Sequence, residues 1–301
     1  MSEVCVRNIR KTYGLVTALD DVSFDVARGE LFGIIGPDGA GKTSLFRIMT
    51  SLILPDSGSV SVAGLDVVSD FRAIRSMVGY MPGRFSLYQD LSVSENLSFF
   101  ASLFGTSPDS NYDLIQPVYK YLEPFRDRRA GHLSGGMKQK LALCCALIHK
   151  PRLLFLDEPT TGVDPVSRKE FWETLRTLQQ QQITIVVSTP YMDEARLCDR
   201  IALIKDGAFM TIDSPDNIRR QFSVPLWSVK SDSMHVLLRD VREFSAVDQC
   251  YAFGDTHHLT VKEDFSVIEF ETYLAAKGHR GIETLRITPA IEDCYMQLAR
   301  M

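Results

Sequence analysis

Leu31-Phe32-Gly33-Ile34-Ile35-Gly36-Pro37-Asp38-Gly39-Ala40-Gly41-Lys42-Thr43-Ser44 decides how this chain folds. A short apolar run, read as a buried strand, enters the pattern G-x-x-x-x-G-K-[ST]. A helical pattern follows over Ser44 to Leu54, with Leu45, Ile48, Met49 and Leu52 on one side. A strand before and a helix after are the context in which such a loop cradles phosphate. The glycines let the backbone turn tightly and aim successive N–H groups inward at phosphate oxygens. The helix starting near Gly41 adds the positive end of its dipole. Lys42 is placed to reach the β- and γ-phosphates, and the Thr43 hydroxyl to ligate Mg²⁺. The expected nucleotide cradle is therefore Gly36, Pro37, Asp38, Gly39, Ala40, Gly41, Lys42, Thr43 and Ser44, and the expected ligand is ATP with Mg²⁺.

Moving outward, Leu153–Leu156 and Ile183–Val187 are continuous apolar runs, as expected of strands buried on both faces. Ile201–Ile204, closed by Lys205-Asp206-Gly207, reads as a strand entering a tight turn. Apolar strands alternating with helices predict an α/β fold, a mainly parallel sheet with helices on both faces. The texture changes after Phe222, where Ser223-Val224-Pro225 reads as a linker. Beyond it the expected elements are strand Leu226–Lys230, helix Met234–Phe244, a hairpin over Val247–Lys262, helix Val267–Lys277 and strand Thr284–Ile287. The order βαββαβ predicts a small α+β, ferredoxin-like unit. The expected domains are 1–222 and 223–301.

Two further segments carry chemistry. Leu153-Leu154-Phe155-Leu156-Asp157-Glu158-Pro159 is a buried strand ending in two carboxylates. Asp157 is placed to hold Mg²⁺ through water, and Glu158 to polarise an attacking water as general base. Leu133-Ser134-Gly135-Gly136-Met137-Lys138-Gln139 opens a helix, so Ser134, Gly135 and Gly136 form a second anion-binding cap. A single phosphate site has no use for a second cap. One that closes over the nucleotide of another subunit does.

These segments, in this order and at these separations, resemble the ATP-binding cassette family over nearly all of residues 1–222. The resemblance implies a P-loop cassette with an antiparallel N-terminal part and a helical subdomain. It implies that Tyr13, in Lys11-Thr12-Tyr13-Gly14, stacks on adenine, and that Asp164, in Thr160-Thr161-Gly162-Val163-Asp164-Pro165, belongs to a dimer-facing loop. The segments at 87–97, Met192-Asp193-Glu194-Ala195 and Thr288–Asp293 resemble exporter cassettes of the multidrug and polysaccharide branch. In the family two cassettes sandwich two ATP molecules, and closing and reopening of the sandwich drives the membrane subunits. The implied partners are a second cassette, non-identical or a copy of this chain, and integral permease subunits; the implied place is the cytoplasmic face of the membrane.

Two positions depart from the family pattern. After Val78-Gly79-Tyr80-Met81-Pro82 the family usually has glutamine, and this chain has Gly83; after Ile183–Thr189 it usually has histidine, and this chain has Pro190. Proline offers neither a side-chain donor nor a backbone N–H. The expectation is a site that binds ATP well and hydrolyses it slowly, in a pair whose other cassette keeps both groups. Compensation by Arg84, Thr189 or Tyr191 is the competing reading.

Composition bounds the rest. Of the 301 residues 45% are apolar, the net charge is −5 and the pI near 5.7, so the chain lacks the basic signature of nucleic-acid binding. No run approaches the about 18 apolar residues of a membrane span; Leu141–Ile148 comes nearest. The N-terminus has no secretory pattern. Six cysteines without a CxxC pair read as reduced thiols. His257-His258 falls on an expected strand, so the rings should leave opposite faces. A soluble cassette ATPase acting on ribosomes or DNA would carry tandem cassettes, a long coiled coil or basic extensions, and none is visible. A nucleotide-gated scaffold that does not hydrolyse fits Gly83 and Pro190, but sits poorly with retention of Lys42, Asp157 and Glu158.

Overall fold

The computed structural model of the chain describes residues 2–83 and 87–300, and by its internal contacts the chain falls into two units, Met1–Asp216 with Leu298–Met301, and Asn217–Gln297. The first unit begins with long strands β1 (Ser2–Tyr13) and β2 (Val16–Ala27) in antiparallel pairing. Their alternation buries Val4, Val6 and Ile9 from one strand and Val22, Phe24 and Val26 from the other. Strand β3 (Leu31–Ile35) is buried throughout and leads to helix α1 (Lys42–Met49). Strands β4 (Ser57–Val62) and β5 (Leu65–Asp66) complete an antiparallel sheet of order β2-β1-β4-β5.

Helix α2 (Phe71–Met77) and strand β6 (Val78–Met81) precede a helical region of α3 (Val93–Leu103), α4 (Tyr112–Tyr119) and α5 (Gly135–Leu147). Ser92 and Glu95 form a reciprocal capping box at the start of α3. Both α3 and α4 contact α5, whose stretch from Leu141 to Leu147 is buried on every side, as a helix apolar all round must be. Strand β7 (Leu153–Asp157), helix α6 (Pro165–Gln180), strand β8 (Thr184–Thr189) and the hairpin of β9 (Arg200–Lys205) and β10 (Ala208–Asp213) follow. The second sheet has the order β10-β9-β3-β8-β7-β6, parallel except for β10. Asp206 (φ 48°) and Gly207 (φ 83°) make the turn foreseen before β10.

Helix α1 lies in one core with both sheets. Phe46 meets Phe155 edge-on at 6.3 Å, while Phe24 stacks on Phe32 at 5.3 Å between the sheets. The helix is shorter than its sequence pattern, which runs on to Leu54. The Thr50 hydroxyl donates back to the Phe46 carbonyl, Ser51 turns to a positive φ of 58°, and Leu52 is half exposed.

The register of the parallel strands fixes the site. Ile35 of β3 pairs with Thr189 of β8, Ser188 with Asp157 of β7, and Leu156 with Met81 of β6. Four strands thus end at one edge, and everything that follows them is delivered there.

Helix α7 (Pro215–Arg220) spans the boundary between the units along the chain. In the second unit β11 (Leu226–Lys230), α8 (Met234–Arg242), β12 (Val247–Phe253), β13 (Thr256–Val261), α9 (Val267–Ala276) and β14 (Glu283–Arg286) occur in the foreseen order. The sheet order β12-β13-β11-β14, with every neighbouring pair antiparallel, is the ferredoxin-like arrangement. Helix α10 (Ile291–Leu298) has no counterpart in the sequence reading, although Pro289 with Glu292 and Asp293 is a start signal. His257 and His258 are both buried: His257 bonds the Met234 carbonyl, and His258 Nδ1 donates to Asp293 Oδ1 at 2.7 Å. No metal-holding cluster of His, Cys, Asp or Glu exists among the described residues.

Asp293 accepts from His258, from the Tyr251 hydroxyl at 2.6 Å and from the Ala290 N–H at 2.6 Å. Burial pushes its carboxyl up, but these donors outweigh burial and leave it below the usual 3.8. A depressed carboxylate stabilises the fold above its unfolded value and loses that contribution as pH falls through the folded one. Asp293→Asn is therefore expected to cost about 2 kcal/mol at pH 7. The gap from the parent should shrink below about pH 4, as the parent loses the same contribution. Denaturant unfolding at both pH values, with hydrogen exchange assigning the loss to residues 217–297, checks this.

Candidate functional site

The phosphate loop leaves β3 at Gly36 and is shaped by glycine where nothing larger fits. A Cβ at Gly36 would lie 2.3 Å from the Ile204 carbonyl oxygen, and one at Gly41 would lie 2.2 Å from that of Ala18. Gly41 also has φ 100° and caps α1, so two independent demands select glycine there. Gly36 N–H donates to the Thr189 carbonyl at 3.3 Å, which pins the loop to the end of β8. Within the loop Ala40 N–H closes a turn on the Pro37 carbonyl, with Asp38 and Gly39 (φ 81°) at its tip.

Lys42 is 3% exposed, and its ammonium donates to the carbonyls of Gly36 and Pro37, each at 2.8 Å. Glu158 Oε1 lies 3.0 Å from the same nitrogen. A buried ammonium needs such partners to stay charged. Two of them are neutral carbonyls, and the carboxylate is partly open to solvent, so the charge is available to an entering anion.

Asp157 is 1% exposed at the tip of β7, where its Oδ1 accepts from the Ser188 hydroxyl at 2.7 Å. Burial and then the Asp157 charge push the Tyr80 phenol up to about 12, so it stays neutral beside the carboxylate. Glu158 follows in the left-handed region, φ 49°, which aims its side chain away from the strand and towards Lys42. Thr43 opens α1 beside Lys42, and hydroxyl plus carboxylate is an oxygen donor set of the kind Mg²⁺ takes. Tyr13 is 47% exposed, its phenol oxygen within 3.4 Å of the Ser44 hydroxyl, and Lys11 lies 5.7 Å from its ring centre. An open ring face next to the phosphate loop suits stacking.

Ser134 caps α5 by accepting from the Met137 N–H at 3.3 Å. Gly136 permits a close approach: a Cβ there would meet Ser167 Oγ at 2.5 Å and come to 3.8 Å from Asp164 Oδ2. Asp164 caps α6, accepting from the N–H groups of Val166 at 3.1 Å and Ser167 at 3.0 Å. The fold thus joins Ser134, Gly135 and Gly136 to the Asp164 loop. Among the described residues no hydrogen bond or ion pair joins that cap to Gly36–Thr43 of the same chain.

The two departures are visible in place. A Cβ at Gly83 would lie 3.2 Å from the Asp157 carbonyl oxygen and 3.8 Å from Glu158 Cβ, so the position overlooks the acidic pair with nothing to offer it. Pro190 follows β8 directly. Thr189 is fully buried: its hydroxyl donates to Glu194 Oε2 at 2.5 Å and accepts from the Tyr191 N–H at 3.0 Å. The Tyr191 ring lies under the Arg168 guanidinium at 4.1 Å. Both residues are committed elsewhere, and Arg84 lies outside the described residues.

Two residues of segments singled out in the sequence prove to hold the loops together, a role the sequence did not disclose. Gln139 Nε2 reaches from α5 to the Pro159 carbonyl at 2.7 Å. Glu194, 2% exposed, accepts from Thr160 at 3.0 Å and Thr189 on one oxygen, and pairs with Arg168 through the other. Besides their place in those segments, the signal for this role was a polar side chain inside a stretch that must be buried.

Comparison with known proteins agrees with this geometry. The family profile described as "ABC transporter" matches residues 19–161. The Nod factor export ATP-binding protein I of Burkholderia orbicola (strain AU 1054) is 42% identical over 297 residues, 97% of this chain and 95% of the relative. The probable multidrug ABC transporter ATP-binding protein YbhF of Escherichia coli (strain K12) is 40% identical over 217 residues, 71% of this chain but only 38% of that longer protein. A solved ATP-binding subunit of an ABC transporter superimposes with a TM-score of 0.67 at 29% identity, covering 73% of this chain and 93% of its own. The cassette MJ0796, solved as a dimer with ADP and Pi in a post-hydrolysis state, superimposes with a TM-score of 0.64 at 26% identity, over 70% of this chain and 98% of its own. With its phosphate loop, acidic pair and capped signature helix delivered by one shared framework, the chain belongs to the ABC transporter family and is one of its ATP-binding cassettes.

Proposed function

We propose that this cassette is the ATP-driven subunit of an exporter whose membrane channel is made by separate permease subunits. One observation carries the reading: Lys42, Asp157 and Glu158 converge at the sheet edge, while the Ser134–Gly136 cap packs beside Asp164 and Ser167 and makes no hydrogen bond or ion pair with Gly36–Thr43 among the described residues. A site divided in this way becomes whole when a second cassette presents its own cap. MJ0796, a cassette solved as a dimer, supports the pairing of two cassettes.

In this reading Lys42 and the N–H groups of Gly36–Thr43 hold the phosphates, Tyr13 takes the base, and Glu158 polarises the attacking water. Entering phosphate replaces Glu158 at Lys42, so nucleotide binding itself frees the base for catalysis. Thr43 and Asp157 are the residues that would hold Mg²⁺, which would supply positive charge to offset the negative charge developing on the phosphate groups. The missing donors at Gly83 and Pro190, with Thr189 and Tyr191 engaged elsewhere, make this chain's own site slow at hydrolysis. Its intact cap then serves a partner cassette, non-identical in the reading favoured here, that keeps both groups.

None of the described helices is long and apolar enough to cross a membrane. An apolar groove of about 190 Å³ lies between β6 and α3, lined among others by Leu52, Tyr80, Met81, Leu103 and Phe104. Leu103 is 62% exposed, and the groove adjoins the strand that leads to Gly83. We assign it to a cytoplasmic helix of the permease, which places the cassette on the cytoplasmic membrane face. The export names of the relatives that match the chain along nearly its whole length support the exporter reading.

Lys42→Ala should weaken ATP binding by about 10–100-fold in calorimetry, the worth of one charge-assisted contact. In single-turnover hydrolysis, Gly83→Gln combined with Pro190→His should accelerate the purified chain by at least about 10-fold. Brisk turnover by the unaltered chain alone, abolished by Glu158→Gln, would refute the slow-site reading. Leu103→Glu with Phe104→Glu should abolish co-purification with an integral membrane protein while leaving ATP affinity within about twofold of the parent, because a buried charge is costly only at the docked face.

A further inference from the structure

Ser188 sits one residue before the end of β8, fully buried, directly across the sheet from Asp157. Its hydroxyl makes two short hydrogen bonds, both to the acidic pair. It donates its only proton to Asp157 Oδ1 at 2.7 Å, and it accepts the Glu158 backbone N–H at 2.9 Å. The Ser188 carbonyl accepts the same N–H at 3.1 Å, so Glu158 is held from two sides by one residue.

We propose that Ser188 is the positioning residue of the acidic pair. It sets the orientation in which Asp157 meets the metal and in which Glu158 meets the water. The inference rests on the nucleotide-site reading above and deepens it. Its physical basis is the direction of one proton. Because the hydroxyl hydrogen is committed to Asp157 Oδ1, the carboxylate cannot rotate freely about its own axis. Among the described residues Oδ2 carries no hydrogen bond, so it is the oxygen left for a metal-bound water. Because the hydroxyl lone pair takes the Glu158 N–H, the peptide following Asp157 is fixed where φ is 49°, a conformation costly for glutamate unless its surroundings enforce it. Removing the hydroxyl frees the Asp157 carboxylate and leaves the Glu158 N–H on the Ser188 carbonyl alone.

The neighbouring hydroxyl acts on the next stretch of loop. Thr189 and Thr160 share Glu194 Oε2, so the end of β8 also anchors the chain two residues beyond Glu158. In a strand that has lost the donor expected at residue 190, the two residues just before it hold the acidic pair and its loop. Ser188 acts on the reacting groups only through Asp157 and Glu158, and is a positioning residue rather than a catalytic one.

The test compares Ser188→Ala and Ser188→Thr with the full-length parent. Serine to alanine removes one oxygen and adds no volume, so folding is retained, which thermal unfolding verifies. Affinity for ATP in excess chelator should stay within about twofold of the parent, because Lys42 and the phosphate loop are untouched. The Mn²⁺ concentration that half-saturates the nucleotide-bound protein, read by electron paramagnetic resonance, should rise by about 10-fold or more in Ser188→Ala, and Ser188→Thr should restore it to within about threefold. Single-turnover hydrolysis should fall in parallel, with little change in the ATP concentration required. An unchanged Mn²⁺ midpoint in Ser188→Ala would overturn the proposal, as would equal loss in the alanine and threonine variants. Failure of the parent to bind ATP at all would instead overturn the nucleotide-site reading on which it rests.

Discussion

The ammonium of Lys42 is the constraint to which the first unit answers. A cation that is 3% exposed must be met by oxygen on several sides, and here two carbonyls of its own loop and one carboxylate from another strand do so. The loop can present its carbonyls inward only if the chain passes hard against Ile204 and Ala18, where no side chain fits. The carboxylate can arrive only if β7 ends level with β3. The register of β3, β8, β7 and β6 secures that, and burial of α1 between the two sheets holds the loop's far end still.

Much of this was legible in the residues. The strand-loop-helix around Gly36–Thr43, the strand ending in Asp157-Glu158 and the glycine-led helix at Ser134 are short segments whose chemistry is local. Local chemistry survives in sequence. The C-terminal order βαββαβ was legible for the same reason, since each element carries its own period and turn signals. What sequence concealed is relational. That α1 stops at Met49 depends on a threonine back-bond and a positive φ at Ser51, which a run of apolar residues does not announce. That Ser188 serves Asp157, or that Glu194 joins Thr160 to Thr189, depends on which strands lie side by side. The pairing of β7 with β8 crosses a whole helix, and a single sequence contains no trace of it.

Buried polar groups recur in the second unit in a quieter form. Asp293 gathers Tyr251, His258 and the start of α10 around one carboxylate, and Asp240 there meets His279 at 3.0 Å. The physics is that of the first unit: a buried charge is tolerated where donors surround it, and each such cluster fixes one arrangement of the elements that supply them.

The contact at Gly136 has a mechanical consequence. With no side chain there, the first turn of α5 rests on Ser167 and Asp164 in the first turn of α6, and Gln139 clamps the same helix to Pro159. The surface proposed to meet a neighbour's nucleotide and the segment just beyond Glu158, the proposed general base, are therefore joined in one part. Such a part cannot shift at one end and rest at the other, so two half-sites built from it would keep a common clock.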